Sequence, residues 1–504
     1  MNKKKAILIG LFFVFVLVNL VLTAWYVLHD DIIFTADIAR DFLLYREIDA
    51  KKIILIGPRS SVSGLFHGPL WLYLNYPAYL IGQGNPVIVG WYWVFLTILF
   101  LIVCFIIAEK LFDQLTAYFY VLMLSVYAVF HTKGLFNPHG VFFLLPMFYF
   151  LLIKYLETDK IYYLISHLIV GSLLIQFQIG IGIPYVILSS LLIIYHAFKN
   201  KKRAHLLILL LIPLFLGNFI IFDLRHDFTL TRGIQFFFLA HEREQQISYL
   251  SMARDNLRLI VTGAEILRAN PININFNLRI PITIIFAIFT WLQIKNNLHQ
   301  KKYLIFLYLY LGYFILSFAN KGFILYFYLY PQFSLVFLVF ASFVTSNYKK
   351  IFIPIFLVIL SFNFLTAIKD TREAKNYIGK NTESWKFLYQ LSKKIYEQPE
   401  DTFGYFIYSP DAFGYQPKYA MFYTASLFNK KAFSFEKKPI TYVIAAPHPF
   451  MKDQWWRENQ VNLIDEPEFT IPFGNGYKIE KYLLNEEQIS VTFDPSINPG
   501  IHFR

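Results

Sequence analysis

Near the N-terminus, two carboxylates and a guanidinium stand close together in Phe34-Thr35-Ala36-Asp37-Ile38-Ala39-Arg40-Asp41-Phe42-Leu43. Thr35 is a suitable N-cap, so the pattern predicts a short helix with Asp37 and Asp41 one turn apart on one face and Arg40 beside them. Like charges at i,i+4 weaken a helix slightly, which suggests another use for them. One carboxylate near a membrane surface could take a proton from an acceptor, while the other binds a cation or orients a hydroxyl. Helix capping with an Asp–Arg ion pair would produce the same pattern.

A second candidate lies in Ile56-Gly57-Pro58-Arg59-Ser60-Ser61-Val62-Ser63-Gly64-Leu65-Phe66-His67-Gly68-Pro69-Leu70-Trp71. Small residues around Arg59 and His67 make a donor-rich backbone able to wrap a phosphate; an ordinary polar loop reads the same way. Histidines are scattered, without a His-x-His pair or an HExxH helix, which argues against a zinc site. The single cysteine, Cys104, excludes a disulfide framework.

These groups must be positioned by a chain of 504 residues that is 57% hydrophobic, 16% charged and carries a net charge of +13. With 55 phenylalanines and long uncharged runs it is neither disordered nor a soluble nucleic-acid binder. Apolar segments suited to transmembrane helices lie at 6–28, 86–108, 114–130, 137–153, 161–177, 180–198, 204–222, 280–294, 303–319, 323–345 and 351–368. Their odd number puts the termini on opposite sides. The stretch 69–82 is too short to span, and its Trp71, Tyr73, Tyr76 and Tyr79 suit an interfacial helix. The first segment follows Lys3, Lys4 and Lys5 but lacks a cleavage site, and reads as an uncleaved helix.

With the N-terminus cytoplasmic, the inner loops hold fifteen basic and four acidic residues, so +11 of the charge is a topology signal. The outer loops 29–85 and 223–279 and the chain from 369 onward are then extracytoplasmic. Among the inner basic residues only Arg203 is an arginine, whereas the outer membrane-part loops carry ten arginines and four lysines. A guanidinium grips phosphate oxygens bidentately; salt bridges to outer acids are the other use for such residues. The tail 369–504 balances seventeen basic against seventeen acidic residues. Phe403–Tyr408 and Ile440–Ala446 read as buried strands there and Glu383–Tyr396 as a helix, predicting a folded α/β domain after a membrane domain at 1–368. Segment 243–268 reads as an amphipathic helix lying on the outer leaflet or lidding a site.

Four motifs occur in order: Asp37 followed by the Gly/Ser-rich stretch and His67-Gly68-Pro69-Leu70; Phe136-Asn137-Pro138-His139; Phe222-Asp223-Leu224-Arg225-His226-Asp227-Phe228; and Tyr326-Phe327-Tyr328-Leu329-Tyr330-Pro331. Together they resemble the GT-C glycosyltransferases, in particular the family 39 and aminoarabinose-transferase-like branch that includes the protein O-mannosyltransferases. The resemblance implies a polytopic α-helical, GT-C-like membrane protein of about eleven transmembrane helices with a C-terminal extracytoplasmic α/β domain. It further implies a polyprenyl-phosphate-linked sugar donor and inverting transfer outside the membrane, with Asp37 as catalytic base.

On this reading Arg40, Arg59, His67, Arg225 and His226 are the donor- and phosphate-contacting groups. Asp41, Asn137, His139, Lys321 and Tyr328 line the cavity. His67 stands where the aminoarabinose branch has a lysine, and His139 where an asparagine is more usual. The expected setting is the plasma (inner) membrane, with the lipid bilayer, a polyprenyl-phosphate sugar and an extracytoplasmic glycan, lipid or protein acceptor as partners. A nucleic-acid partner is not expected, and a divalent cation is left open. A lipid flippase or transporter is the alternative, whose signature would be charged residues inside spans and paired broken helices.

Overall fold

The computed structural model describes residues 3–60, 64–239, 248–262, 265–268, 277–296, 299–318, 326–409, 413–448 and 453–498. The chain divides into two compact units. The first comprises Met1–Ala24, Ile54–Leu74 and Trp93–Thr371, and the second Trp25–Ile53, Asn75–Tyr92 and Arg372–Arg504. The division after Thr371 lies close to the expected 368/369 boundary, but the second unit also takes in 25–53 and 75–92, which the sequence reading placed in the membrane part.

The first unit is helical, and helix occupies the described part of each of the eleven expected spans. Among the described residues seven helices are long and apolar enough to cross a membrane: Ala6–Thr23, Pro86–Leu111, Gln114–His131, Pro138–Thr158, Ile179–Lys199, Phe327–Thr345 and Lys349–Asn376. Arg203–Phe215 with Gly217–Arg225, bent by 49°, forms an eighth. The other three expected spans fall short by the same criterion. Ile161–Phe177 and Arg279–Lys295 have 17 residues each, and Gln300–Ser317 opens on Lys301 and Lys302. Seventeen residues rise only about 25 Å, less than the full hydrocarbon thickness.

Local signals set the helix ends. Asp113 accepts a hydrogen bond from the Thr116 amide (2.7 Å) at one start, and Asp159 closes another helix in the left-handed conformation. Every residue of Phe333–Ser342 is buried, as expected for a helix that is apolar all round. Within the bundle, polar side chains bond across helices: Asn19 to Ser125 (3.0 Å), Tyr120 to the Ser334 carbonyl (2.9 Å) and Tyr303 with Ser342 (2.8 Å). Each such bond contributes roughly 0.6 kcal/mol in a membrane. Leu8, Leu11, Phe13 and Leu17 of the first helix are exposed, an apolar face suited to lipid tails.

The second unit holds a five-stranded sheet, β1 (Thr402–Tyr408), β2 (Lys431–Ser434), β3 (Ile440–Ala445), β4 (Phe469–Pro472) and β5 (Lys478–Leu483), in the order β2-β1-β3-β5-β4. β1 runs parallel to β2 and β3; β5 is antiparallel to β3 and β4. The strands and helix read from the tail sequence are present, the helix as Trp385–Tyr396, which packs on Tyr415–Phe428. Helix Ala36–Lys51 belongs to this unit and packs on Tyr415–Phe428 as well.

A short antiparallel bridge precedes helix Ala36–Lys51: Ile33 pairs with Ser384, and the Phe34 amide donates to the Glu383 carbonyl (2.6 Å). Beside it the buried Asp31 carboxylate accepts from the amides of Ile32 (2.8 Å), Lys386 (3.0 Å) and Gly379 (3.1 Å) and from the Ser384 hydroxyl (2.5 Å). Phe34, fully buried, lies against Phe42, Trp385 and Tyr419 with ring centroids 5.4, 5.1 and 5.7 Å away.

Asp31→Ala would leave these donors without their acceptor. It is expected to cost the second unit about 3 kcal/mol, read as earlier thermal unfolding of the purified protein. Asp30→Asn, at an exposed position, should change stability by less than about 0.5 kcal/mol.

Candidate functional site

The expected site residues fall into two groups, one in each unit. In the second unit Thr35 opens helix Ala36–Lys51, its hydroxyl accepting from the Ile38 amide at 3.5 Å. Asp37 therefore sits in the first turn, where the helix dipole favours negative charge. Arg40 reaches both carboxylates. Its Nη1 donates to Asp37 Oδ1 at 2.6 Å, and its Nε and Nη2 donate to Asp41 Oδ1 at 3.2 and 3.0 Å.

The expected helix with its Thr35 cap and the Asp–Arg ion pair are thus both present. Burial works to lower the Arg40 pKa, but the carboxylates of Asp41 and Asp37 outweigh it and hold the guanidinium above its ordinary value. The two acids are placed differently. Asp41 is buried, whereas the Asp37 side chain is half exposed (50%). The arrangement orients one accessible carboxylate by a permanently charged neighbour. The charge of Arg40 is shared between the two carboxylates.

In the first unit, residues 57–60 and 65–67 pair antiparallel as the two arms of a hairpin. The Gly57 amide donates to the His67 carbonyl (2.7 Å), the His67 amide to the Pro58 carbonyl (2.9 Å) and the Ser60 amide to the Leu65 carbonyl (2.9 Å), with Arg59 paired to Phe66. Arg59 is exposed and His67 buried. Phe66 meets Phe222 edge to face at 5.7 Å, in a small core with Ile56 and Leu230. Phe222 in turn stacks on His226 at 4.2 Å. The Phe66 segment and the third motif, far apart in sequence, are therefore packed together.

Helix Gly217–Arg225 ends at Arg225, which is exposed, and the chain turns through the left-handed residues Asp227 and Phe228. Asp223 closes the turn by accepting from the Leu230 amide (2.7 Å), the Thr231 amide (3.2 Å) and the Thr231 hydroxyl (2.5 Å). The Nδ1 of His226 lies 2.8 Å from the Phe222 carbonyl. A carbonyl only accepts, so the proton is on Nδ1 and Nε2 is left as the second functional atom.

Gln176 and Asn218 hold this assembly. Gln176 Nε2 donates to Asn218 Oδ1 (2.5 Å) and the Phe215 carbonyl (3.1 Å), and Asn218 Nδ2 donates to the Leu55 carbonyl (2.8 Å). Gln176 thus bonds helix to helix. Asn218 carried no sequence signal beyond being a polar residue within an apolar run. Gly68 lies so close to Gln176 that a Cβ would come within 2.7 Å of its backbone, and a Cβ on Gly57 would come within 2.2 Å of the Gly68 carbonyl oxygen.

Asn137 and His139 are interior. Asn137 Nδ2 donates to the Phe177 carbonyl (3.0 Å) and to Gln178 Oε1 (2.6 Å). His139 is buried, with Nδ1 3.0 Å from the Tyr330 hydroxyl and its ring 4.6 Å from the Tyr330 ring. Both are engaged in helix packing. The partly buried Tyr328 ring lies over Gly180, and Lys321 is outside the described residues. Among the described residues no group of three or more His, Cys, Asp or Glu is arranged to hold a metal ion.

No protein-family profile and no curated protein sequence matches the chain. Solved structures do. ArnT from Cupriavidus metallidurans bound to undecaprenyl phosphate superposes with a TM-score of 0.59 at 12% identity, covering 94% of this chain and 98% of that one. Its apo form gives a TM-score of 0.58 at the same identity and coverage. The oligosaccharyltransferase of Archaeoglobus fulgidus in its apo form matches more loosely, with a TM-score of 0.46 at 10% identity over 84% of this chain and 64% of that one. The chain has the fold that the sequence resemblance implied, a polytopic GT-C-like membrane bundle with a C-terminal α/β unit.

Gly68→Ala should force the hairpin off helix Ile161–Phe177. The expected cost is about 2–3 kcal/mol of stability, with faster amide exchange through 57–67. Gly10→Ala, where a Cβ meets nothing within 4 Å, is the control that should leave both readings unchanged.

Proposed function

We propose that this protein is a membrane glycosyltransferase that moves a sugar from a polyprenyl-phosphate-linked donor to an extracytoplasmic acceptor, with Asp37 as general base. The observation that carries the reading is the fold likeness to ArnT, which extends over nearly the full length of both chains and includes a form bound to undecaprenyl phosphate. Support from the chain's own residues comes from Asp37, accessible and oriented by Arg40, and from the hairpin packed against the segment bearing Arg225 and His226.

In the proposed reaction an acceptor hydroxyl gives its proton to the Asp37 carboxylate as its oxygen attacks the anomeric carbon. The bond between that carbon and the phosphate oxygen breaks on the opposite face, its electron pair leaving with the lipid phosphate, so configuration inverts. Negative charge grows on the leaving phosphate. Arg59, His67, Arg225 and His226 are the groups assigned to it, because donors aimed at developing charge stabilise the transition state. Arg40 keeps Asp37 oriented. The Phe- and Tyr-rich bundle supplies apolar surface for an isoprenoid tail.

The lysine-rich loops argue for an orientation with the N-terminus cytoplasmic and with loops 29–85 and 223–279 and the chain from 369 onward outside the plasma membrane. Polar groups within the spans, such as Asn137 and Gln176, are used in bonds between helices, which favours this reading over a transporter.

Incubating the purified protein with a panel of polyprenyl-phosphate sugars and acceptors, and measuring released lipid phosphate, tests the proposal. Asp37→Asn should lower transfer by about 10²–10⁴-fold with unchanged thermal unfolding, and full activity in that variant would refute the base assignment. Arg225→Ala should weaken use of the donor, seen as a raised KM for the lipid-linked sugar. An unaltered KM and rate would remove Arg225 from the phosphate contacts.

A further inference from the structure

Helix Tyr249–Thr262 takes no part in the proposed chemistry, yet two of its faces are sharply distinct. One is turned inward, with Met252 and Asn256 buried and one turn apart. Asn256 Nδ2 donates to the Phe314 carbonyl (3.3 Å) and to the Ser317 hydroxyl (3.1 Å), both in the last turn of Gln300–Ser317. That helix begins at Lys301 and Lys302, so Asn256 ties Tyr249–Thr262 to the end of the bundle opposite its lysines. The helix also packs on Arg279–Lys295, itself apolar.

The other face is exposed and consists of Leu250, Ala253, Arg254, Leu257 and Arg258, which recur at the i, i+3, i+4, i+7 and i+8 positions of one helical stripe. Leu250 is 80% and Leu257 61% exposed, and the Arg254 side chain is 78% exposed. Water alone is a poor partner for two leucines held open in this way, and a hydrocarbon interior is a poor partner for two arginines. The boundary between acyl chains and phosphate headgroups suits both at once. A helix pinned to the terminal turn of an expected span would lie at that depth.

We propose that Tyr249–Thr262 is an interfacial helix that seats its exposed stripe in the bilayer surface and prefers acidic phospholipids. Leu250 and Leu257 enter the acyl boundary, and Arg254 and Arg258 hold the headgroup phosphates. Charge decides the preference: acidic lipids raise the local density of anions at the surface, and each guanidinium near it gains from their potential.

The native cysteine offers a clean background, because Cys104 is fully buried and the stripe positions are open to reagents. Full-length Leu250→Cys and Leu257→Cys proteins would be spin-labelled and reconstituted into vesicles of phosphatidylcholine alone or of phosphatidylcholine with phosphatidylglycerol. Power saturation then compares collision with oxygen, which concentrates in lipid, and with a water-soluble nickel chelate.

Expected is a several-fold excess of oxygen over nickel accessibility at both positions, larger in the vesicles containing phosphatidylglycerol. Arg254→Glu with Arg258→Glu should abolish the difference between the two vesicle types. Dominant nickel accessibility in both vesicle types would show a water-facing helix and overturn the proposal. Equal values in both would overturn the preference for acidic lipid.

Discussion

A single buried carboxylate sets the register of the second unit. Asp31 accepts hydrogen bonds from one amide on its own segment and from two amides and a hydroxyl on the 379–386 segment. A charged acceptor in a dry setting is costly unless fully satisfied, and here its satisfaction requires residues more than three hundred positions apart to meet. Once they meet, Phe34 is drawn among Phe42, Trp385 and Tyr419, and the helix carrying Asp37 starts two residues later at Ala36. The proposed base is thereby built on a helix of the α/β unit, which explains how a residue in a loop read as part of the membrane domain can have a rigid setting.

The same economy appears in the first unit, with packing in place of charge. Gly57 and Gly68 let backbones approach where a Cβ would clash, and the Gln176–Asn218–Leu55 chain of hydrogen bonds secures the contact. Phe66 meets Phe222 edge to face and Phe222 stacks on His226, a run of ring contacts between segments about 150 residues apart. Polar groups in a membrane bundle find partners inside the protein because lipid offers none, and here those partners also shape the surface that presents Arg59 and Arg225.

Much of this was legible in the residues. Long apolar segments announced the bundle, and the buried-strand runs Phe403–Tyr408 and Ile440–Ala446 the tail strands. Thr35 before Ala36-Asp37 marked the helix that would hold both carboxylates. What was not legible has a common cause. Span count depends on length and tilt, which composition constrains only loosely, so Ile161–Phe177 and Arg279–Lys295 stand at the margin. Asn137 and His139 read as cavity lining, yet their observed bonds are to neighbouring helices, since a polar side chain in an apolar run has no intrinsic direction.

The sequence by itself determined the class of protein, because hydrophobic length, charge bias and helix caps are local quantities that a chain carries in any conformation. It also determined which side chains are chemically able to act, including Asp37 and the arginines. Only the tertiary structure decided their setting: that Arg40 is bound between two acids, that Asp41 is buried while Asp37 is open, and that Arg59 rides on a hairpin packed against Phe222. Those outcomes depend on which distant groups come within about 3 Å of one another, the reach of a hydrogen bond. Long-range contacts of that kind arise only when the chain closes on itself.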